Sequence, residues 1–438
     1  MIRVEGFFHR LKGKVWFYPS VFSFLAVLLA IIVIAYDLNY FGDSVFEIPS
    51  MFLTSIDFGK EMLGIVAGAF ITITTFTFST TMVVLTMYTS QYTPRVIQNF
   101  LSQKVTLQSF AVFVSGFLYT MIAFLFLSNY EEGSEIVSAT VGIIYILVGL
   151  VFFFRFINSV VSYIQASNLL ARLKNNGDES INNYKESIKG KELLGENALE
   201  KIDQGTSFCI GKDGYFQKID FEEMIKIAKE YNLELFFQKF TGQFVTEKRK
   251  IGTYREIGQP LTKEQEEKML KEIRQNIFIG KERTEVQDFG YSIQKVVEVG
   301  MRALSPGIND PNTAIQCTQI LSLMLRELSE LSKGYLVMGK EEDNEKIHID
   351  PVMVCAEAMD FEILLTNSLQ QLVHYGTKDV MVMKGIIKAL QGINENANED
   401  NHRAIMKFSQ YVMRKIEKEA YDEAELKVIQ KEMWELKG

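Results

Sequence analysis

The sequence predicts an α-helical membrane protein with four transmembrane helices, followed by a cytoplasmic α+β module and a helical bundle. Three observations carry this fold class. Four apolar runs, at about 15–36, 62–90, 107–127 and 136–160, are each long enough to cross a hydrocarbon layer of about 30 Å. Charge then shifts: residues 1–169 hold eight Lys/Arg and nine Asp/Glu, which leaves −7 of the net charge of −8 on the rest. Third, the apolar period changes from short alternating runs after residue 205 to helical spacing from Thr262 onwards. The expected organisation is a membrane domain over 1–168, a helical connector over 169–204, a small α/β module over 205–260 and a helical bundle over 261–438.

Composition narrows the function classes. The acidic second half argues against a nucleic-acid partner, which would call for a basic patch. Cys209, Cys317 and Cys355 follow no pattern, no CxxC occurs and there are four His, so neither a disulfide framework nor a metal site is expected. Walker A, Rossmann, HExxH and EF-hand motifs do not occur, so neither a cofactor nor enzymatic chemistry is expected.

The first span follows the basic segment with Arg3, Arg10, Lys12 and Lys14 and opens on the interfacial aromatics Trp16, Phe17 and Tyr18. The loop from Asp37 to Glu61 is acidic, carrying Asp37, Asp43, Glu47, Asp57 and Glu61 against Lys60. Arg95 to Lys104 is basic, the loop with Glu131, Glu132 and Glu135 is acidic, and Arg155, Arg172 and Lys174 close the fourth span. The alternation follows the positive-inside rule and places both termini in the cytoplasm.

The second span carries a row of small or hydroxylated residues at steps of three and four: Gly64, Gly68, Thr72, Thr75, Ser79, Met82, Thr86 and Ser90. A lipid-facing helix does not need such a row. A helix packed closely on another, or one bordering water, does. No span holds Asp, Glu, Lys or His in its apolar core, which disfavours a proton- or sodium-coupled carrier. Four helices from one chain enclose little space, so a pathway would form around the axis of a homo-oligomer. Gly68, Thr72, Thr75, Ser79 and Thr86 are then the expected pore-lining residues. Asp57, Glu61, Glu131 and Glu132 form an outer acidic mouth that concentrates inorganic cations.

In the second half, Phe208 to Ile219 reads as two short strands around a Lys212-Asp213-Gly214 turn. Asp220 caps a helix through Tyr231. Leu233 to Phe237 is a third strand, Thr241-Gly242-Gln243 turns into Phe244-Val245, and Glu247 to Gly258 reads as a mobile or basic loop. The fourth span is expected to continue to Leu173 and break at Asn175-Asn176-Gly177. Gly190 to Gln204 reads as helical connector. Val286, Phe289, Ile293, Val296, Val297, Met301 and Leu304 mark the core face of a long helix. Asp310 and Pro311 start the next, and Asp350-Pro351 is expected to start a later one through Tyr375. Thr377 to Gln391 and His402 to Leu436 complete the bundle.

The run Ala303-Leu304-Ser305-Pro306-Gly307-Ile308-Asn309-Asp310-Pro311-x-Thr313-Ala314 resembles the signature of a bacterial family of predicted membrane proteins of unknown function. Ser90-Gln91-Tyr92-x-Pro94-Arg95, Gly214-Tyr215-x-Gln217-x-Ile219-Asp220 and Glu282-Arg283-x-x-x-Gln287-Asp288 support it. The resemblance spans most of the chain and implies an architecture in the bacterial plasma membrane but no activity. Asn158-Ser159 stand where the family pattern leads one to expect histidines, which speaks against a metal or proton site there.

The Ser305–Thr313 turn is the candidate ligand or subunit contact, through Ser305, Asn309 and Asp310 and the amides of a helix start, with Arg283, Asp288 and Arg302 expected on the helix leading into it. A rigid corner with its caps satisfied internally is the alternative. The function expected is an oligomeric, cation-conducting channel in which span two lines the pore and the cytoplasmic part gates or assembles it. The alternative is a non-conducting scaffold or sensor whose cytoplasmic domain binds a ligand or partner protein.

Overall fold

The four apolar runs become helices that bury one flank each. The structure, a computed structural model, describes residues 16–38, 40, 48–91, 104–127, 135–164, 166–194, 205–238, 241–284, 288–340, 352–419 and 421–437. It divides into two compact units, Met1–Leu169 and Leu170–Gly438. In the first lie α1 (Phe17–Asp37), α2 (Ile56–Gln91), α3 (Lys104–Leu127) and α4 (Ser138–Ile164). Each is long and apolar enough to cross a membrane. Helix α3 packs against α1, α2 and α4, and half of its most apolar stretch is buried, against 17–28% for the others. It is the central post of this unit. Phe70 of α2 is fully buried over Gly116 and stands edge-on to Tyr145, with ring centroids 5.9 Å apart. A Cβ at Gly116 would run into that ring, so the glycine sets the approach of α2 to α3.

Helix α2 begins earlier than the apolar run that announces it. Strand β1 (Thr54–Ser55) pairs antiparallel with β2 (Glu135–Ile136), and α2 starts immediately after β1. Gly59 packs on Ile136, and Asp57 sits in the first helical turn, where the N-terminal dipole favours a carboxylate. The last residues of the expected acidic loop, Asp57 and Glu61 among them, are therefore helical. Asp37 is likewise no free loop charge. Its carboxylate accepts the amides of Val137 at 2.8 Å and Ser138 at 3.1 Å, capping the start of α4 from the end of α1.

Helix α5 (Ala166–Ile188) runs straight through Asn175-Asn176-Gly177, where a break was expected. A Cβ on Gly177 would collide with Met324, so this glycine makes room for a neighbouring helix rather than ending its own. The expected helical connector contains a strand instead, β3 (Leu193–Leu194); residues 195–204 lie outside the described residues.

Among the described residues the second unit contains two sheets. Strands β4 (Thr206–Cys209) and β5 (Gly214–Ile219) flank the Lys212-Asp213-Gly214 turn but do not pair with each other. The first joins β6 (Leu233–Phe237), β8 (Lys250–Glu256), β10 (Tyr335–Lys340) and β11 (Met353–Glu357) in a six-stranded sheet of order β3-β10-β11-β6-β8-β4. All its neighbours are antiparallel except β11 and β6. The second joins β7 (Phe244–Val245) and β9 (Ile277–Gly280) in a three-stranded sheet of order β7-β5-β9. The expected basic loop over 247–258 is thus largely strand β8, and the stretch after Thr262 is not purely helical.

Asp220 accepts the amide of Glu223 at 3.3 Å and starts α6 (Phe221–Tyr231), as the capping pattern predicts. Thr262 and Gln265 form a reciprocal capping box at the start of α7 (Lys263–Gln275). Phe208, Phe237, Ile227, Tyr254, Met269 and Val354 meet in one core between the sheets and these helices. The remaining helices are α8 (Phe289–Ala303), α9 (Pro311–Ser329), α10 (Phe361–Gly376), α11 (Val380–Asn394), α12 (Glu399–Ile416) and α13 (Glu423–Lys437). Helix α10 starts at Asp360, whose carboxylate takes the amide of Ile363, and not at Asp350-Pro351, which lie outside the described residues.

Candidate functional site

At about 100° per residue, Asp57, Glu61, Gly64, Gly68, Thr72, Thr75, Ser79, Met82 and Thr86 fall within an arc of about 80° on α2. All nine are exposed. Leu63, Val66, Phe70, Thr77, Thr81 and Val84, which α2 buries, lie on the opposite side of the helix. The small-residue row therefore plays no part in packing the four helices of one chain. A Cβ added at Gly64 or Gly68 meets nothing within 4 Å. Larger apolar side chains border the row, Ile71 and Phe78 on one side and Ile65, Phe76 and Val83 on the other, all exposed. The face is a shallow groove with an acidic end. Thr72 donates its hydroxyl proton to the Gly68 carbonyl at 2.9 Å and Thr86 to the Met82 carbonyl at 2.9 Å, so each side chain is held against its own helix. The other two members of the expected acidic mouth, Glu131 and Glu132, lie outside the described residues.

The signature turn forms a corner between α8 and α9. Asp310 is the N-cap of α9, accepting the Thr313 amide at 3.1 Å and the Thr313 hydroxyl at 2.6 Å, with Pro311 following it. The Ser305 carbonyl accepts the amides of Ile308 and Asn309, and the Asp310 amide returns to the Ala303 carbonyl. The Ser305 hydroxyl donates to the Arg302 carbonyl. Asn309 takes a left-handed φ of 50°, which a short polar side chain tolerates. Within this corner the side chains of Ser305, Asp310 and Thr313 and the amides of Ser305, Ile308, Asn309, Asp310 and Thr313 are paired internally, while Asn309 stands exposed.

Arg283 and Asp288 do not join that corner. Asp288 caps the opposite end of α8, taking the Tyr291 amide at 3.0 Å, and α8 is 15 residues long, so roughly 22 Å separates the two ends. Of the six expected contact residues, Arg302, Ser305, Asn309 and Asp310 share the corner, whereas Arg283 and Asp288 form a separate buried cluster. Arg283 binds Asp288 at 2.8 Å, reaches Gln294, and lies 4.9 Å from the Tyr291 ring centroid, with Lys295 4.6 Å from the same centroid. Gly242, at φ 83°, sits so close to this ion pair that a Cβ would strike both partners. Lys295 escaped sequence reasoning because a lysine on an apolar helix face looks like solvent-facing charge; for the Arg283–Asp288 pair, Gly242 in its turn was the available signal. Burial, with the charge of Asp310 adding to it, pushes the Cys317 thiol up to about 12, so no thiolate nucleophile stands behind the corner. Among the described residues no three His, Cys, Asp or Glu side chains gather into a metal-binding group.

A family model described as predicted membrane protein (DUF2254) matches residues 12–392, a stretch that takes in the four apolar helices, both sheets and the signature corner. The chain belongs to this family. Proteins similar to the chain include uncharacterized proteins of Mycobacterium bovis and Mycobacterium tuberculosis, each 22% identical over 374 residues that cover 84% of this chain and 70% of the relative. No solved structure matches the chain. Membership in DUF2254 bears out the resemblance carried by the Ala303–Ala314 run, and it brings no activity with it.

Proposed function

We propose that the chain is a homo-oligomeric, cation-conducting channel of the plasma membrane, with both termini cytoplasmic and α2 lining the pore. The observation that carries this reading is the composition of one exposed face: two carboxylates, Asp57 and Glu61, in line with Gly68, Thr72, Thr75, Ser79 and Thr86, turned away from everything α2 packs on within its own chain. A hydroxyl whose proton is committed to a backbone carbonyl, as in Thr72, presents oxygen lone pairs outward, the polarity a hydrated cation meets favourably. Carboxylates at the entrance raise the local cation concentration. The second unit would assemble or gate the pore, without catalysis and without nucleic acid as partner.

Single-channel recording tests this. Ser79→Leu and Thr75→Leu should abolish or sharply reduce conductance, and Asp57→Asn with Glu61→Gln should lower cation-over-anion preference. Unchanged conductance in the leucine variants removes α2 from the path. A second reading is favoured by the groove itself: Gly64 and Gly68 between apolar ridges suit a closely packed helix pair, which would make the assembly a non-conducting scaffold or sensor. A water-accessible axis bordered by α2 in the solved oligomer supports conduction, and a tightly packed one supports the scaffold.

A further inference from the structure

In the second unit a cavity of about 480 Å³ opens where the end of α5 meets β3, the start of β10 and the loop after α9. That is the size of a small-molecule site. Leu193, Leu331 and Leu336 supply apolar wall, Lys185, Lys189 and Lys191 supply positive charge, and Glu186 and Glu330 supply negative charge. The three lysines are not equivalent. Lys185 is matched by Glu327 at 3.0 Å and Glu330 at 2.7 Å, and Lys189 by Glu186 at 3.5 Å. Lys191 makes no ion pair among the described residues, and its polar contact is the Met338 thioether, with Nζ 3.6 Å from Sδ. Sulfur of this kind is a weak acceptor. Burial pulls the Lys191 ammonium below the ordinary lysine value. An ammonium drawn partly out of water without a counter-charge is costly, and a cavity beside it is where that counter-charge can enter.

We infer that Lys191 anchors a binding site for a small organic anion, a compound with one phosphate or carboxylate group for the ammonium and an apolar body for the leucine wall. This site is independent of the pore reading.

The test uses the full chain in neutral phosphatidylcholine nanodiscs, with butyl phosphate as probe. Brief acetylation followed by peptide mass spectrometry reads Lys191 against Lys271, an exposed lysine outside the cavity lining, as internal control. Butyl phosphate should slow acetylation of Lys191 at least threefold and leave Lys271 unchanged. By calorimetry, Lys191→Met should weaken butyl phosphate binding by about tenfold or more, and Lys191→Arg should largely preserve it. If phosphatidylglycerol in the nanodisc protects Lys191 and butyl phosphate does not, the anion is a lipid headgroup; protection by butyl phosphate assigns a soluble compound. Equal acetylation of Lys191 with and without both probes overturns the proposal, as does Lys191→Met binding butyl phosphate as tightly as the native chain. The labelling arm uses the native chain, so it decides even where the methionine variant fails to fold.

Discussion

At the corner between α8 and α9, Asp310 takes both donors of Thr313 and the Ser305 carbonyl takes two amides. Along the outer face of α2, a comparable density of Gly, Ser and Thr stands exposed, turned away from the helices that α2 packs on among the described residues. Both stretches stand out in the sequence for the same residue types, and the structure spends them differently. Buried or capped polar groups stabilise a turn by satisfying backbone donors. An outward row on an apolar helix gives the described part of its own fold no packing; on the proposed reading its reason lies outside the chain, in a second copy or in water. Residue type alone does not distinguish these uses; the direction a side chain faces does.

Glycine substitutions break or sharpen this contrast most strongly. Gly116→Val drives a methyl-bearing side chain into the Phe70 ring and should cost about 1–3 kcal/mol or more of unfolding free energy. Gly68→Val, on the outer face, should leave stability within about 0.5 kcal/mol while lowering the mass of the assembly. Denaturation of both variants in detergent, beside native mass spectrometry, reads the two effects. Equal destabilisation would mean that the outer face of α2 is packed within one chain after all.

Next in size is the corner. Asp310→Ala removes the acceptor of two Thr313 donors and should cost about 1–2 kcal/mol. Asn309→Gly relieves a left-handed backbone and should stay within about 0.5 kcal/mol of the native chain or stabilise it slightly. Urea unfolding of the full chain checks both. A neutral Asp310→Ala would show that the cap is not used internally and would return this residue to the list of contact candidates.

The smallest effect is electrostatic. Burial works to raise the Glu432 carboxyl, but the hydrogen bond and charge of Lys384, with Lys388 behind it, outweigh burial and hold it below the usual glutamate value. A carboxylate depressed in the folded state contributes fully above its unfolded value and is lost as pH falls through the folded one. Glu432→Gln should therefore cost about 0.5 kcal/mol at neutral pH and nothing once both states are protonated. A cost that persists unchanged at low pH would assign Glu432 a packing role instead.

Legibility of the fold followed the range of the interactions. The four long apolar runs were readable because length against a hydrocarbon layer is a local property. So were the helix starts at Asp220 and Asp310, where cap and partner are three residues apart. Strands β10 and β11 were not: they pair with each other, but each is held on its other edge by a strand far away in sequence, β3 and β6. Gly177 was misread as a breaker because its reason, Met324, is likewise distant. The candidate contact residues failed to converge for the converse reason. Arg283 and Asp288 are near Ser305 in sequence, yet a straight helix carries them to its opposite end. The exposed face of α2 was readable as a periodicity, but not the side of the helix that its own chain would cover.

The most direct test of the account is cysteine accessibility along α2 in native membranes, in a background lacking Cys209, Cys317 and Cys355. The account predicts that a membrane-impermeant, water-soluble thiol reagent modifies Thr72→Cys, Thr75→Cys and Ser79→Cys and spares Phe70→Cys, Ile71→Cys and Phe78→Cys. Uniform silence across all six positions would place the hydroxyl row against lipid tails or a dry interface and contradict conduction along α2.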